Sequence, residues 1–373
     1  MITSREVLLT VSVDTEEDNW LPARDQIRVE NIQELPRLAR CFDRLGLRST
    51  YFTTYQVACD PRAMGVLREI RARGTAEIGA HLHPWNTPPL DEALLPRNSM
   101  MKNLPAALQL AKLQRLTTQL RDALGEAPTT FRAGRYGLGP VSVSVLHSCG
   151  YELDSSVTPF LNWESTDEGP TFVGAPLDAY RLGVDDVNVP DQRGPLVEIP
   201  LTCGYTRFSS RQWWLLDRVL RTRPTRTSAL AALASRSGFA RLVVLSPESS
   251  SVPDMLALSR GALAGGARHL QMTLHSPSLR PGLSPWISTT ADVDGLYASL
   301  ESYLDGLSRM ASVRCATLSE ARVALGFGES LAARPRGDGD HDDTAGSAGW
   351  HNPGDAASNA RKRSATSGST GRT

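Results

Sequence analysis

The stretch that decides the fold is Glu77-Ile78-Gly79-Ala80-His81-Leu82-His83-Pro84-Trp85. In an extended chain, residues i and i+2 share a face, so His81 and His83 reach towards one point while Leu82 packs the other way. Pro84 and the following Asn86-Thr87-Pro88-Pro89 stop the strand and open a loop. One histidine here would read as a strand cap or a solvated side chain. Two at this spacing, with carboxylates ending another strand, read as a chelate.

The carboxylates lie near the N-terminus. Val7 to Val13 is an apolar run too short to span a bilayer and reads as a buried first strand, followed at once by Asp14-Thr15-Glu16-Glu17-Asp18. Asp14 and Glu16 share a face by the same alternation. Ile32, Leu35, Leu38, Ala39, Phe42 and Leu45 then mark a helix, with Asn31 as cap and Gly46 as stop. Residues 48–55 form a second strand, 61–73 a helix and 76–83 the third strand. Leu104 to Leu124 is a longer helix after an insertion at 86–102 that reads as a loop over the site.

Residues 129–136 and 151–157 read as strands around a short helix at 141–148. From Thr158 to Gly194 the pattern dissolves into loop with short β segments. Order returns with a strand at 196–201, helices near 212–222 and 227–235, a strand at 242–246, a helix at 253–263 and a strand at 269–274 ending in His275. A helix over 293–307 and a strand at 313–317 complete the series. This alternation predicts a distorted parallel (β/α) barrel of about seven units, α/β in class, occupying 1–328 as one domain. Beyond it, residues 329–373 are polar and poor in large apolar side chains, which predicts a disordered tail.

The chain has 40 Lys+Arg and 40 Asp+Glu in 373 residues, so no net field selects nucleic acid or an acidic membrane surface as partner. Lysine occurs only at 102, 112 and 362. Five widely spaced cysteines without a Cys-x-x-Cys pair argue against a disulfide framework and a zinc ribbon. No integral membrane segment or export signal is read, so the expected location is the cytoplasm. The sequence sets no oligomeric state.

A parallel barrel turns all strand ends towards one mouth, bringing together Asp14/Glu16, His81/His83, Arg132 with Tyr136, and His275. In order and spacing these resemble the NodB-like polysaccharide deacetylases, carbohydrate esterase family 4, over most of residues 7–320. Glu77 to His81 match the family's approach to its metal-binding histidine. Ser12-Val13-Asp14-Thr15-Glu16 resembles a branch with Asp-x-acid spacing. The family places its second histidine four residues after the first, where this chain has Trp85, and His83 is the nearby replacement; Trp85 would stack on a sugar or cover the rim.

Phe131-Arg132-Ala133-Gly134-Arg135-Tyr136-Gly137 resembles the family's Arg-x-Pro-aromatic-Gly element, one residue longer and without the proline. Leu153-Asp154-Ser155-Ser156-Val157 and Leu274-His275 resemble its later motifs. The resemblance implies one divalent ion, expected to be zinc, on Glu16, His81 and His83. It implies Asp14 as base, Arg132 as its partner, the Tyr136 N–H as oxyanion donor and His275 as acid, oriented by Asp154 or Glu198. The implied substrate is an N-acetylated sugar in a glycan intermediate. Two further readings stay open: an allantoinase-like hydrolase of cyclic amides, and a catalytically silent carbohydrate-binding barrel.

Overall fold

The computed structural model describes residues 6–221 and 240–328. The helix expected at 227–235 and the tail at 329–373 lie outside these residues.

The first strand, β1 (Glu6–Thr15), is the hub. Every residue after Glu6 is buried, as a near-continuous apolar run demands when both faces of a sheet are covered. On one side it pairs along most of its length with β10 (His269–His275). On the other its first half pairs with β11 (Ser312–Ala316) and its second half with β2 (Ser49–Thr53). From β2 the sheet continues through β3 (Ala76–Leu82), β4 (Thr130–Ala133), β5 (Leu153–Asp154) and β7 (Leu196–Glu198) to the antiparallel edge strand β6 (Tyr180–Leu182). All pairings but the last are parallel.

The helices between strands carry local stop and start signals. Helix α1 (Leu35–Leu45) ends at Gly46 with φ +66°, a left-handed turn that suits glycine. Asn31 does not cap it. Its amide donates to the Glu16 carbonyl and to Asp18, because a 3-10 turn at Glu30–Glu34 precedes the helix proper. A short helix α2 (Tyr55–Cys59) went unread, being too brief to show periodicity. In α3 (Pro61–Ala72) the Asp60 carboxylate accepts from the N–H groups of Arg62 and Ala63, and Pro61 sits where no donor is needed. Helices α4 (Ala106–Leu124) and α5 (Pro140–Ser148) follow their patterns.

The predicted strands at 129–136 and 151–157 are shorter than expected. After Ala133 the chain turns tightly through Gly134–Tyr136, and after Ser155 the N–H groups of Ser156 and Val157 donate to the carboxylates of Asp154 and Glu198. Between β7 and β10 the ladder is interrupted. There a two-stranded antiparallel sheet, β8 (Cys203–Tyr205) with β9 (Leu242–Val244), fills the wall. It is tied to β10 through Thr202 N–H to the Gln271 carbonyl at 3.3 Å and Thr273 N–H to the Leu245 carbonyl at 3.1 Å. The barrel is therefore distorted where β8 and β9 stand. Helices α6 (Ser210–Arg221), α7 (Val252–Gly265), α8 (Thr290–Ser308) and α9 (Leu318–Ala324) complete the outer layer. Among the described residues no helix is long and apolar enough to cross a membrane.

The β2–β4 wall is packed too tightly to admit one more carbon at Gly79, where a Cβ would lie 2.6 Å from Thr130 Oγ1 and 2.8 Å from the Phe52 ring. Gly79→Ala is expected to lower stability by about 1–3 kcal/mol, measured as a lower denaturant midpoint at unchanged slope.

Candidate metal centre and catalytic cavity

The carboxyl ends of β1, β3, β4 and β10 open into a cavity of about 370 Å³. Its lining includes Asp14, Glu16, His81, His83, Tyr136 and His275. Strand register places them. Asp14 is level with His275 on β10, and His81 is level with Arg132 on β4.

A donor set that could hold a metal ion is assembled from the ends of two strands. One ligand atom from each of Glu16, His81 and His83 lies within 4.8 Å of the others. His81 Nδ1 donates to the Arg132 carbonyl at 3.0 Å, and His83 Nδ1 donates to Glu17 at 2.8 Å. Each bond fixes the ring's orientation and turns its Nε2 inwards. The two Nε2 atoms then stand 3.5 and 3.2 Å from the same Glu16 oxygen. Acceptors crowded on one point repel unless a cation or proton lies among them, so the residues fit a divalent ion. Burial lowers the His83 pKa, but Glu17 and Glu16 outweigh it and push it up to about 9. Glu16 is driven the other way: its hydrogen bonds from the two histidines overcome burial and hold it far below the usual carboxylate range.

His83 is held from three sides. Glu17, whose other oxygen accepts from the Asn86 amide at 3.0 Å, takes the Nδ1 proton. Trp85 stacks on the imidazole with centroids 4.1 Å apart. Gly134 passes so close that a Cβ there would meet His83 Cδ2 at 2.7 Å. Trp85, only 6% exposed, thus covers His83 and offers little face to a sugar.

Asp14 is bound by the fully buried Arg132, whose guanidinium also donates to Thr273 Oγ1, the Ser155 carbonyl and Ser155 Oγ. Burial raises the Asp14 pKa, but Arg132, His81 and His275 outweigh it and keep the carboxyl below its ordinary value. Arg135 and Tyr136 both adopt φ above +50°, a strained conformation for side-chain-bearing residues, at the rim of the same cavity.

His275 corrects the sequence reading. Neither Asp154 nor Glu198 touches it. Its Nδ1 and its backbone N–H both bind Glu248, each at 2.9 Å, and its Nε2 faces Asp14 at 3.6 Å. Glu248 follows β9, and its side chain is 1% exposed. The only sequence signal for it was its place just past a short apolar run, the same position that marked Asp14. Asp154 binds Ser156 and stands level with Glu198 on β7. Burial pushes both carboxyls up, and repulsion by Asp154 drives Glu198 further.

No family model and no curated protein matches the chain. Solved structures do. A protein of Parabacteroides distasonis described as a glycoside hydrolase/deacetylase is 12% identical, over 86% of this chain and 71% of its own, with a TM-score of 0.54. The fold is of the polysaccharide-deacetylase type. A chain from Mycobacterium smegmatis described as a polysaccharide deacetylase is 18% identical over 90% and 96% of the two chains, at 0.48. The chitin deacetylase of Colletotrichum lindemuthianum is 13% identical over 91% and 96%, at 0.41. The likeness to the Parabacteroides distasonis structure establishes architecture alone, and the chemistry rests on the site itself.

Burial depresses the His275 pKa, but Glu248, Glu16 and Asp14 reverse this and raise it to about 10. The imidazolium is therefore present below that pH and lost above it. Glu248→Gln removes the nearest raising charge, so the His275 midpoint, followed by NMR of its ring nitrogens, is expected to fall by at least about one unit.

Proposed function

We propose that this chain is a metal-dependent hydrolase that removes N-acetyl groups from a sugar of a glycan or polysaccharide intermediate. The observation that carries the reading is the meeting, in one cavity, of a Glu16/His81/His83 donor set, a carboxylate held by Arg132, and a histidine held by Glu248. Glu16, His81 and His83 would hold the ion. When bound, a divalent ion such as zinc polarises a carbonyl and makes water more acidic.

The chain's own groups account for the proton traffic. Asp14 stays ionised at neutral pH and, with one oxygen fixed by Arg132, presents the other to take a proton from the attacking water. His275, doubly anchored on Glu248, keeps Nε2 towards the cavity and delivers a proton to the departing nitrogen. The Tyr136 backbone N–H is the assigned donor to the carbonyl oxygen as negative charge builds on it. Acetamide and water thus become acetate and a free amine.

The apolar wall supports a sugar as substrate. Trp20 and Trp286, each 37% exposed, pack edge to face at 5.0 Å and flank the His275 ring. Amphipathic aromatic faces at a half-open mouth suit the C–H face of a pyranose.

The test is acetate release from N-acetylated sugar nucleotides, lipid-linked sugars and chito-oligosaccharides, with cyclic amides as the counter-class. Asp14→Asn and His275→Ala are each expected to lower kcat by about 100-fold or more. Trp286→Ala is expected mainly to raise KM. Turnover of ring amides alone would move the assignment to the allantoinase-like class, and no turnover of any amide by the metal-loaded chain would leave the binding-barrel reading.

A further inference from the structure

The second metal arm, His83, lies just beyond the end of β3, where no ladder partner holds it. The segment that follows it, 84–92, has no regular secondary structure. Three of its carbonyls are nevertheless turned inwards onto a single cation. Lys112 lies on α4 with its side chain fully buried. Its Nζ donates to the carbonyls of Pro84 at 2.9 Å, Thr87 at 2.7 Å and Pro89 at 2.5 Å, and pairs with Glu92 at 3.0 Å. Arg24 closes the same loop from outside, donating to the Trp85 carbonyl at 2.9 Å and to Glu92.

We propose that Lys112 is a positioning residue for the metal centre, fixing the 84–92 loop so that Trp85 and Asn86 hold His83 in its ligating orientation. The proposal rests on the metal-centre reading above. The path is short and continuous. The loop Lys112 clamps carries Trp85, stacked on His83, and Asn86, which donates to Glu17, and Glu17 accepts the His83 Nδ1 proton. The Asn86 backbone is also held, its carbonyl accepting from the Gln56 amide at 2.8 Å. An ammonium suits this task. It has three rotatable donors for convergent carbonyls, whereas a guanidinium's planar fork does not converge on them. Lysine is nearly absent from the chain, and one of its three copies stands here, in the interior of a helix facing the loop after the histidine pair.

The test is cobalt(II) titration of the full chain, with affinity measured by competition against a chromophoric chelator and ligand geometry read from the visible d–d bands. Lys112→Met is expected to weaken cobalt binding by about tenfold or more, as loss of an outer partner of a ligand does, and to alter the bands. Leu120→Ala, a buried core substitution on the same helix, serves as the stability-matched control and is expected to leave affinity within about twofold. If Lys112→Met does not fold, Arg24→Met on the exposed side of the clamp gives the same readout, with a smaller loss expected.

Wild-type affinity and spectrum in the folded variants would overturn the proposal while leaving the metal centre standing. An equal loss in Leu120→Ala would reduce Lys112 to a general stability role and overturn it too. Failure of the wild-type chain to bind cobalt(II) would remove the metal reading and this inference with it.

Discussion

A guanidinium without access to water sits at the centre of this barrel, and the site depends on its being satisfied. Arg132 leaves β4 and bonds to groups on β1, on β10 and in the segment after β5, with the Phe52 ring of β2 against its face at 4.5 Å. An unpaired charge at that depth would cost several kcal/mol. Every strand that supplies Arg132 with an acceptor is thereby held in position, and one of those acceptors is Asp14. The same contact that neutralises the arginine fixes one carboxylate oxygen and leaves the other facing the cavity.

Around this pair the cavity is organised by complementary charges at short range. Glu17 and Glu16 draw protons towards His83, Glu248 draws one towards His275, and Arg132 keeps Asp14 ionised. Each imidazole presents one nitrogen to an anchoring oxygen and the other to the cavity, so orientation and electrostatics are set by a single bond. Deeper still, burial raises the pKa values of Asp154 and Glu198 next to the strand from which Arg132 arises.

Much of this was legible in the sequence because strands obey a period of two and parallel strands end on one face. Asp14, Glu16, His81 and His83 announced themselves as polar groups closing apolar runs, and Arg132 and His275 as matches to a family pattern. What escaped lay where neither rule applies. Glu248 follows a three-residue strand outside the main sheet, in a serine-rich turn without periodicity, and meets His275 only because that small sheet fills the gap in the wall. Asp154 matched a motif, yet its strand is two residues long and points it towards Glu198. Asn31 looked like a helix cap, but a 3-10 turn displaced the helix start and freed its amide to bind the acidic loop. Lys112 fitted a helical pattern, and only its depth and its four oxygen partners reveal its role.

The level placement of Asp14 and His275 on adjacent strands has a further consequence. The backbones that carry these two side chains stand one rung of a parallel ladder apart, about 4.8 Å in such sheets, so their separation belongs to the scaffold. The aromatic and polar groups that would read a substrate come instead from the loops after β1, β3 and β10 and from 158–169. Loops can therefore be exchanged without moving the Asp14–His275 pair, so on the proposed function selectivity would drift while the reactive geometry is kept.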